Sequence, residues 1–161
     1  MDSTDALALS LAQQRIMAQI RSHTALLVLV GMTDLVPQLL QNTALPDDSV
    51  YINVGLELAK HLRQNLPTGS LRAAQIMEEL LESSGAKSLI LDRLEILFAL
   101  TLHLDVLRLL LDLNRRIPIA AIWPGEYRDA RLTYAMPGHP EYREYEYPEA
   151  IFPITILAPR R

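Results

Sequence analysis

The spacing of apolar positions changes several times along the chain, and each change predicts an element. Leu7, Leu11, Ile16 and Ile20 recur at helical intervals through residues 4–22, with Ser3 or Thr4 placed to cap the start. Residues 25–30 are apolar without interruption, the pattern of a strand buried on both faces of a parallel sheet. A helix over 34–43 follows, ending near Pro46-Asp47-Asp48, and residues 50–53 form the second strand. Helices over 55–66 and 70–83 are divided by Pro67-Thr68-Gly69, and a third strand, 88–91, delivers Asp92 at its carboxyl end. Residues 103–116 read as a leucine-rich helix, and 117–123 as a fourth strand stopped by Pro124-Gly125.

This alternation predicts an α/β fold, a parallel sheet with helices on both faces, as a single domain over 1–161. The last forty residues break the rhythm. Segments 131–134 and 151–157 look like extra strands around a Pro- and Tyr-rich loop, 137–148, with no helix between. In the 103–116 helix, Leu104, Leu107, Leu109, Leu110, Leu111 and Leu113 leave Asp105, Arg108, Asp112 and Arg115 only a narrow polar stripe. Such a helix is buried on more than one side, either in the core or against an assembly partner.

Composition narrows the class. The chain has 161 residues, 50% of them hydrophobic and 21% charged, which is a globular balance and long enough to bury a core. There is no cysteine, so disulfide and thiolate chemistry are excluded, and a reducing cytosol suits the protein. A net charge of −4 argues against direct binding of free DNA or RNA. The opening Met-Asp-Ser-Thr-Asp is unlike a secretory signal, and no apolar run approaches the ~18–20 residues of a membrane span. A soluble, cytoplasmic protein is expected.

Residues 25–40 have the outline of a phosphate-binding loop. An apolar strand ends at Gly31 and a helix starts almost at once, as in the G-x-x-x-x-G-K-[ST] motif. Anchored on Gly31, however, Val36 replaces the second glycine, Pro37 the lysine and Gln38 the hydroxyl residue. Valine obstructs close backbone approach, and proline has neither charge nor N–H. Asp34 adds negative charge beside the intended anion. The chain's lysines, Lys60 in a helix and Lys87 ahead of a strand, are poor replacements. Losing one charge-assisted hydrogen bond, about 1.5–3 kcal/mol, weakens binding by roughly one to two powers of ten. The turn also has a purely structural reading, with Thr33 as helix cap and Pro37 tolerated in the first turn.

Ser88-Leu-Ile-Leu-Asp92 has the pattern of the strand whose terminal aspartate accepts a magnesium-bound water, although Arg93 stands where a glutamate is usual. The alternative is a surface aspartate capping the next segment. Gly31, Thr33 and Asp92 are the candidate residues of a vestigial nucleotide site.

Four segments carry a family likeness: Tyr51-Ile-Asn-Val-Gly-Leu-Glu-Leu-Ala-Lys60, Ser88-Leu-Ile-Leu-Asp-Arg-Leu-Glu-Ile-Leu-Phe98, Pro118-Ile-Ala-Ala-Ile-Trp-Pro-Gly125 and Leu132-Thr-Tyr-Ala-Met-Pro-Gly-His-Pro-Glu-Tyr-Arg143. Together they resemble the BrxF family, the small P-loop-containing component of one type of bacteriophage-exclusion (BREX) defence system. The likeness spans roughly residues 25–147, and Gly-His-Pro-Glu-Tyr is its most specific part. It implies a three-layer P-loop NTPase-like sheet and a role in restricting phage alongside a DNA methyltransferase and other defence proteins. It also implies a glycine-lysine pair in the first loop, from which this chain departs at Val36 and Pro37. The resulting expectation is a non-catalytic assembly or regulatory subunit, without cofactor, that contacts defence proteins or further copies of itself. The competing expectation is an ATPase that binds ATP and magnesium through a rearranged loop or a lysine supplied by a partner.

His23, His61, His103 and His139 form no i,i+4 pair, which argues against a zinc site. His139, between Gly138 and Pro140, either holds its loop together or is presented to a partner. Tyr142, Arg143, Tyr145 and Tyr147 crowd with glutamates, so they mark either an interface or a flap whose rings lie on the core. Arg128 and Arg131 follow the fourth strand near the expected ligand edge, where an arginine can complete a neighbour's site. Arg128, Arg131, His139, Tyr142, Arg143 and Tyr145 are therefore the interface candidates.

Overall fold

The N-terminal helix is held by a different face from the one its leucines suggest. A computed structural model describes residues 1–41, 45, 48–62 and 70–159. Helix α1 (Ser3–Ser22) is capped not by Ser3 or Thr4 but by Asp2, whose carboxylate accepts from the Asp5 N–H at 2.9 Å. Leu9, Ala12, Ile16 and Gln19 are buried, whereas Leu7 is 60% and Leu11 37% exposed. Ala12 is small where the helix approaches the sheet. Gln19 supplies donors there: its amide bonds Ala25 O at 3.0 Å and Ile119 O at 2.5 Å, and Asn114 Oδ1 accepts the Ile119 N–H at 2.9 Å. Burying Gln19 thus satisfies backbone carbonyls that an apolar residue would leave open.

Strand β1 (Leu26–Val30) is buried throughout, as its uninterrupted apolar run predicts. Its side chains alternate between two layers: Leu27 and Leu29 pack with α1, and Leu26, Val28 and Val30 face the opposite cluster. A single 3₁₀ turn, Thr33–Leu35, leads into α2 (Val36–Gln41). Thr33 is therefore inside a turn and is not its cap; Met32 holds that position and makes no side-chain bond. Pro37 is the second residue of α2, where its missing N–H has no helical partner to lose. Val36 points into the core with Leu39 and does not overhang the turn.

The second strand, β2 (Ser49–Asn53), runs straight into α3 (Val54–Leu62), the Asn53 side chain accepting the Leu56 N–H at 2.9 Å. The predicted boundaries at 42–43, 46–47 and 63–69 lie outside the described residues. Helix α4 (Ser70–Ser84) leads to β3 (Ser88–Asp92), which is wholly buried. Two 3₁₀ segments, Leu94–Phe98 and Leu100–Leu102, precede α5 (Val106–Asn114). This helix is shorter than predicted because His103 is left-handed (φ 48°) and Asp105 caps the start. Val106, Leu107, Leu109, Leu110, Leu111 and Leu113 are all buried, so α5 is a core helix with no apolar face left for assembly.

After β4 (Ile119–Trp123) come β5 (Glu126–Arg128), β6 (Arg131–Tyr134) and β7 (Arg143–Glu146), which form a separate antiparallel sheet. The loop predicted over 137–148 thus contains β7. A short helix, α6 (Pro148–Ile151), then leads to β8 (Ile154–Leu157). This last strand is not an appendage: it pairs in parallel with β1 and completes the main sheet, ordered β2-β3-β4-β1-β8.

Helices α1 and α2 cover one face of that sheet, and α3, α4 and α5 the other. From β1 the chain moves to the β2 edge; from β4 it moves past β1 to β8. The carboxyl ends of β1 and β4, where Val30 pairs with Trp123, are consequently the topological switch point at which open α/β sheets bind ligands. Among the described residues no helix is long and apolar enough to cross a membrane.

Candidate functional site: the carboxyl edge of the sheet

At the switch point Gly31 has φ +72°, a conformation that favours glycine. A Cβ built on it would lie 2.9 Å from Pro159 Cγ and 3.0 Å from Pro159 Cδ. The ring that follows β8 therefore closes over the backbone that a phosphate loop leaves bare. Beside it is a cleft of about 330 Å³, walled by Val30, Gly31 and Pro159 on one side and by residues 125–129 on the other. Gly31 lines this cleft; Thr33 and Asp92 do not.

Asp92 ends β3, which is separated from β1 by β4. It is not a surface cap, being only 3% exposed. The Tyr51 hydroxyl donates to Oδ2 at 2.6 Å, the Arg93 N–H donates to Oδ1 at 2.8 Å, and Arg93 Nε is 4.0 Å from Oδ2. Both carboxylate oxygens are thus engaged by protein donors. Burial, then the bond to Asp92 and its charge, push the Tyr51 phenol up to about 12. Arg93 is left-handed (φ 55°), which turns the chain away directly after the aspartate. Neither lysine contributes: Lys60 pairs with Glu57 and Lys87 with Asp48, each at 3.3 Å.

Five of the six interface candidates separate into two groups. Arg128, Arg131 and Tyr142 line a concavity of about 620 Å³ on the outer face of the small sheet, with Met136 75% exposed beside them. Arg131 pairs with Glu144 at 3.6 Å and Glu146 at 3.5 Å, and the Tyr142 hydroxyl donates to Glu144 at 2.5 Å. Arg143 and Tyr145 alternate to the other face. Tyr145 packs edge-on to Trp123, and its hydroxyl donates to Asp105 Oδ1 at 3.1 Å and accepts the Leu107 N–H at 3.4 Å. Burial and the Asp105 charge raise that phenol to about 12. Tyr145 is a core strut, as the flap reading supposed.

His139 holds its loop. Its Nδ1 accepts the Glu141 N–H at 3.0 Å, its own N–H donates to Met136 O at 2.9 Å, and its carbonyl accepts from Tyr142 at 3.0 Å.

Sequence reasoning missed the join between the two sheets. A Cβ on Gly125 would lie 1.8 Å from Thr133 O, the carbonyl to which Trp123 Nε1–H donates at 2.8 Å. Phe98 stacks on Tyr134 with ring centroids 3.8 Å apart and meets Trp123 edge-on. Only the dipeptide Pro124-Gly125 hinted at so close a crossing. The chain matches no family model, no curated protein and no solved structure.

Proposed function

We propose that this chain is a degenerate P-loop domain, non-catalytic, that assembles or regulates a bacteriophage-exclusion defence complex. One observation carries the reading: at the switch point of a parallel α/β sheet, the glycine turn after β1 is covered by Pro159 where a phosphate loop would be open. Such a loop works by aiming several backbone N–H groups and a lysine at an anion. Here the 3₁₀ turn folds back on itself, Leu35 N–H donating to Met32 O at 2.9 Å, and Pro37 brings no donor. Asp92 is 3% exposed and each of its oxygens already accepts from a protein donor, Tyr51 or Arg93, which disfavours the magnesium role. The defence assignment rests on the resemblance of four segments to the BrxF family. A tagged copy expressed with its native operon tests it: co-purification of the neighbouring defence proteins in near-stoichiometric amounts is expected, and recovery of none contradicts it.

A further inference from the structure

We propose that the outer face of α1 is a self-association seam, along which two copies of this chain pair antiparallel about a two-fold axis between Leu7 and Leu11. The face of α1 turned to the sheet is that of Leu9, Ala12, Ile16 and Gln19. Away from it, Thr4, Leu7, Leu11, Gln14, Ala18 and Arg21 are all exposed. Their intervals of three, four, three, four and three residues are the a/d spacing of a coiled-coil seam. Leu7 is 60% and Leu11 37% exposed, one helical turn apart; among the described residues no other helix exposes two large apolar side chains. Folding of a single copy uses the first face and leaves this one bare.

The layers choose the occupant. In an antiparallel pair each a position meets a d position of the other helix. An axis between Leu7 and Leu11 therefore sets Leu7 against Leu11 of the second copy and, by symmetry, Leu11 against its Leu7. Thr4 and Gln14 then meet at both ends, a hydroxyl beside an amide, so polar layers able to hydrogen-bond close the two leucine layers. Charge fixes the direction. Asp2 and Asp5 stand at the start of α1 and Arg15 and Arg21 in its second half, and no ion pair among the described residues involves Asp5, Arg15 or Arg21. Antiparallel pairing lays Arg15 of each copy alongside the acidic first turn of the other, whereas a parallel pair sets acid beside acid and arginine beside arginine. It also opposes the two helix dipoles. From Thr4 to Gln14 the seam runs about 15 Å, a short contact, so the dimer is weak and reversible.

Sedimentation equilibrium on the purified chain, up to roughly 1 mM to cover weak association, tests the pairing. A reversible dimer is expected for the unaltered protein, weakened roughly tenfold or more in Leu7→Gln and in Leu11→Gln. Both leucines are exposed, so the dilute variants should unfold at the same midpoint as the unaltered chain. The chain has no cysteine, which lets single cysteines report the register. In a glutathione redox buffer, an equimolar mixture of Leu7→Cys and Leu11→Cys should give the mixed disulfide well beyond the about one-half that random pairing yields. A monomer at roughly 1 mM overturns the proposal, as do glutamine variants that associate like the unaltered chain. Mixed disulfide at or below the random share overturns it too. The outcome is independent of whether the carboxyl edge binds nucleotide.

Discussion

The Tyr51 hydroxyl lies 2.6 Å from Oδ2 of Asp92, on the strand paired with it, and makes a carboxylate at the ligand edge into an internal strut. Removing that hydroxyl in Tyr51→Phe leaves a buried carboxylate oxygen without its closest donor. A loss of about 1–3 kcal/mol in urea unfolding is expected, whereas Asp92→Asn, which retains an acceptor for Tyr51, should lose less. Equal stability of Tyr51→Phe and the unaltered protein contradicts the strut.

Alkaline stability follows from the same group. Tyr51 and Tyr145 are both raised from the ordinary 10.0 to about 12, so the folded state holds these protons more tightly than the unfolded chain. Their contribution is complete below the unfolded value and is lost as pH rises through the folded one. Stability should therefore fall between about pH 10 and 12. Tyrosinate absorbance of the folded protein should show a late-titrating class that shrinks in Tyr51→Phe and again in Tyr145→Phe. Titration of both phenols near their ordinary value contradicts this.

Gly125→Ala forces a methyl against the Thr133 carbonyl, which belongs to backbone and cannot swing aside. A loss of about 3 kcal/mol is expected, with altered Trp123 fluorescence because the indole donates to the same carbonyl. Fluorescence and unfolding midpoint together check it. A silent substitution shows that the two sheets do not meet there.

Ala130 holds a left-handed φ of 57° in the β5–β6 turn. Ala130→Gly should stabilise the protein by roughly 0.5–1 kcal/mol, since glycine adopts this conformation without the Cβ penalty. Thermal unfolding is the measurement, and a destabilised variant contradicts the turn geometry.

What could be read from the residues follows from how each element is buried. Strands β1, β3 and β4 are covered on both faces, so their apolar runs are uninterrupted and predict strands in nearly the right places. Strand β7 escaped notice because Arg143-Glu144-Tyr145-Glu146 has one polar face and an amphipathic tyrosine on the other. The buried face of α1 was only half legible: Ile16 and Ile20 pack inward, whereas Leu7 and Leu11 are exposed and Gln19 takes a core position, where its amide answers backbone carbonyls that no periodicity reveals. Likewise the Gly31 turn and the terminal position of Asp92 were legible, since both are local. The Tyr51–Asp92 bond depends on the β2–β3 register, and the cover over Gly31 comes from a residue more than a hundred positions away.

The most direct measurement is a thermal unfolding scan of the purified chain with and without millimolar Mg-ATP. A working site at one hundred times its dissociation constant would add about 2.7 kcal/mol, several degrees for a domain of this size. A turn capped by Pro159 and an aspartate held by Tyr51 predict no shift. A magnesium-dependent rise of several degrees that disappears in Asp92→Ala would contradict the account.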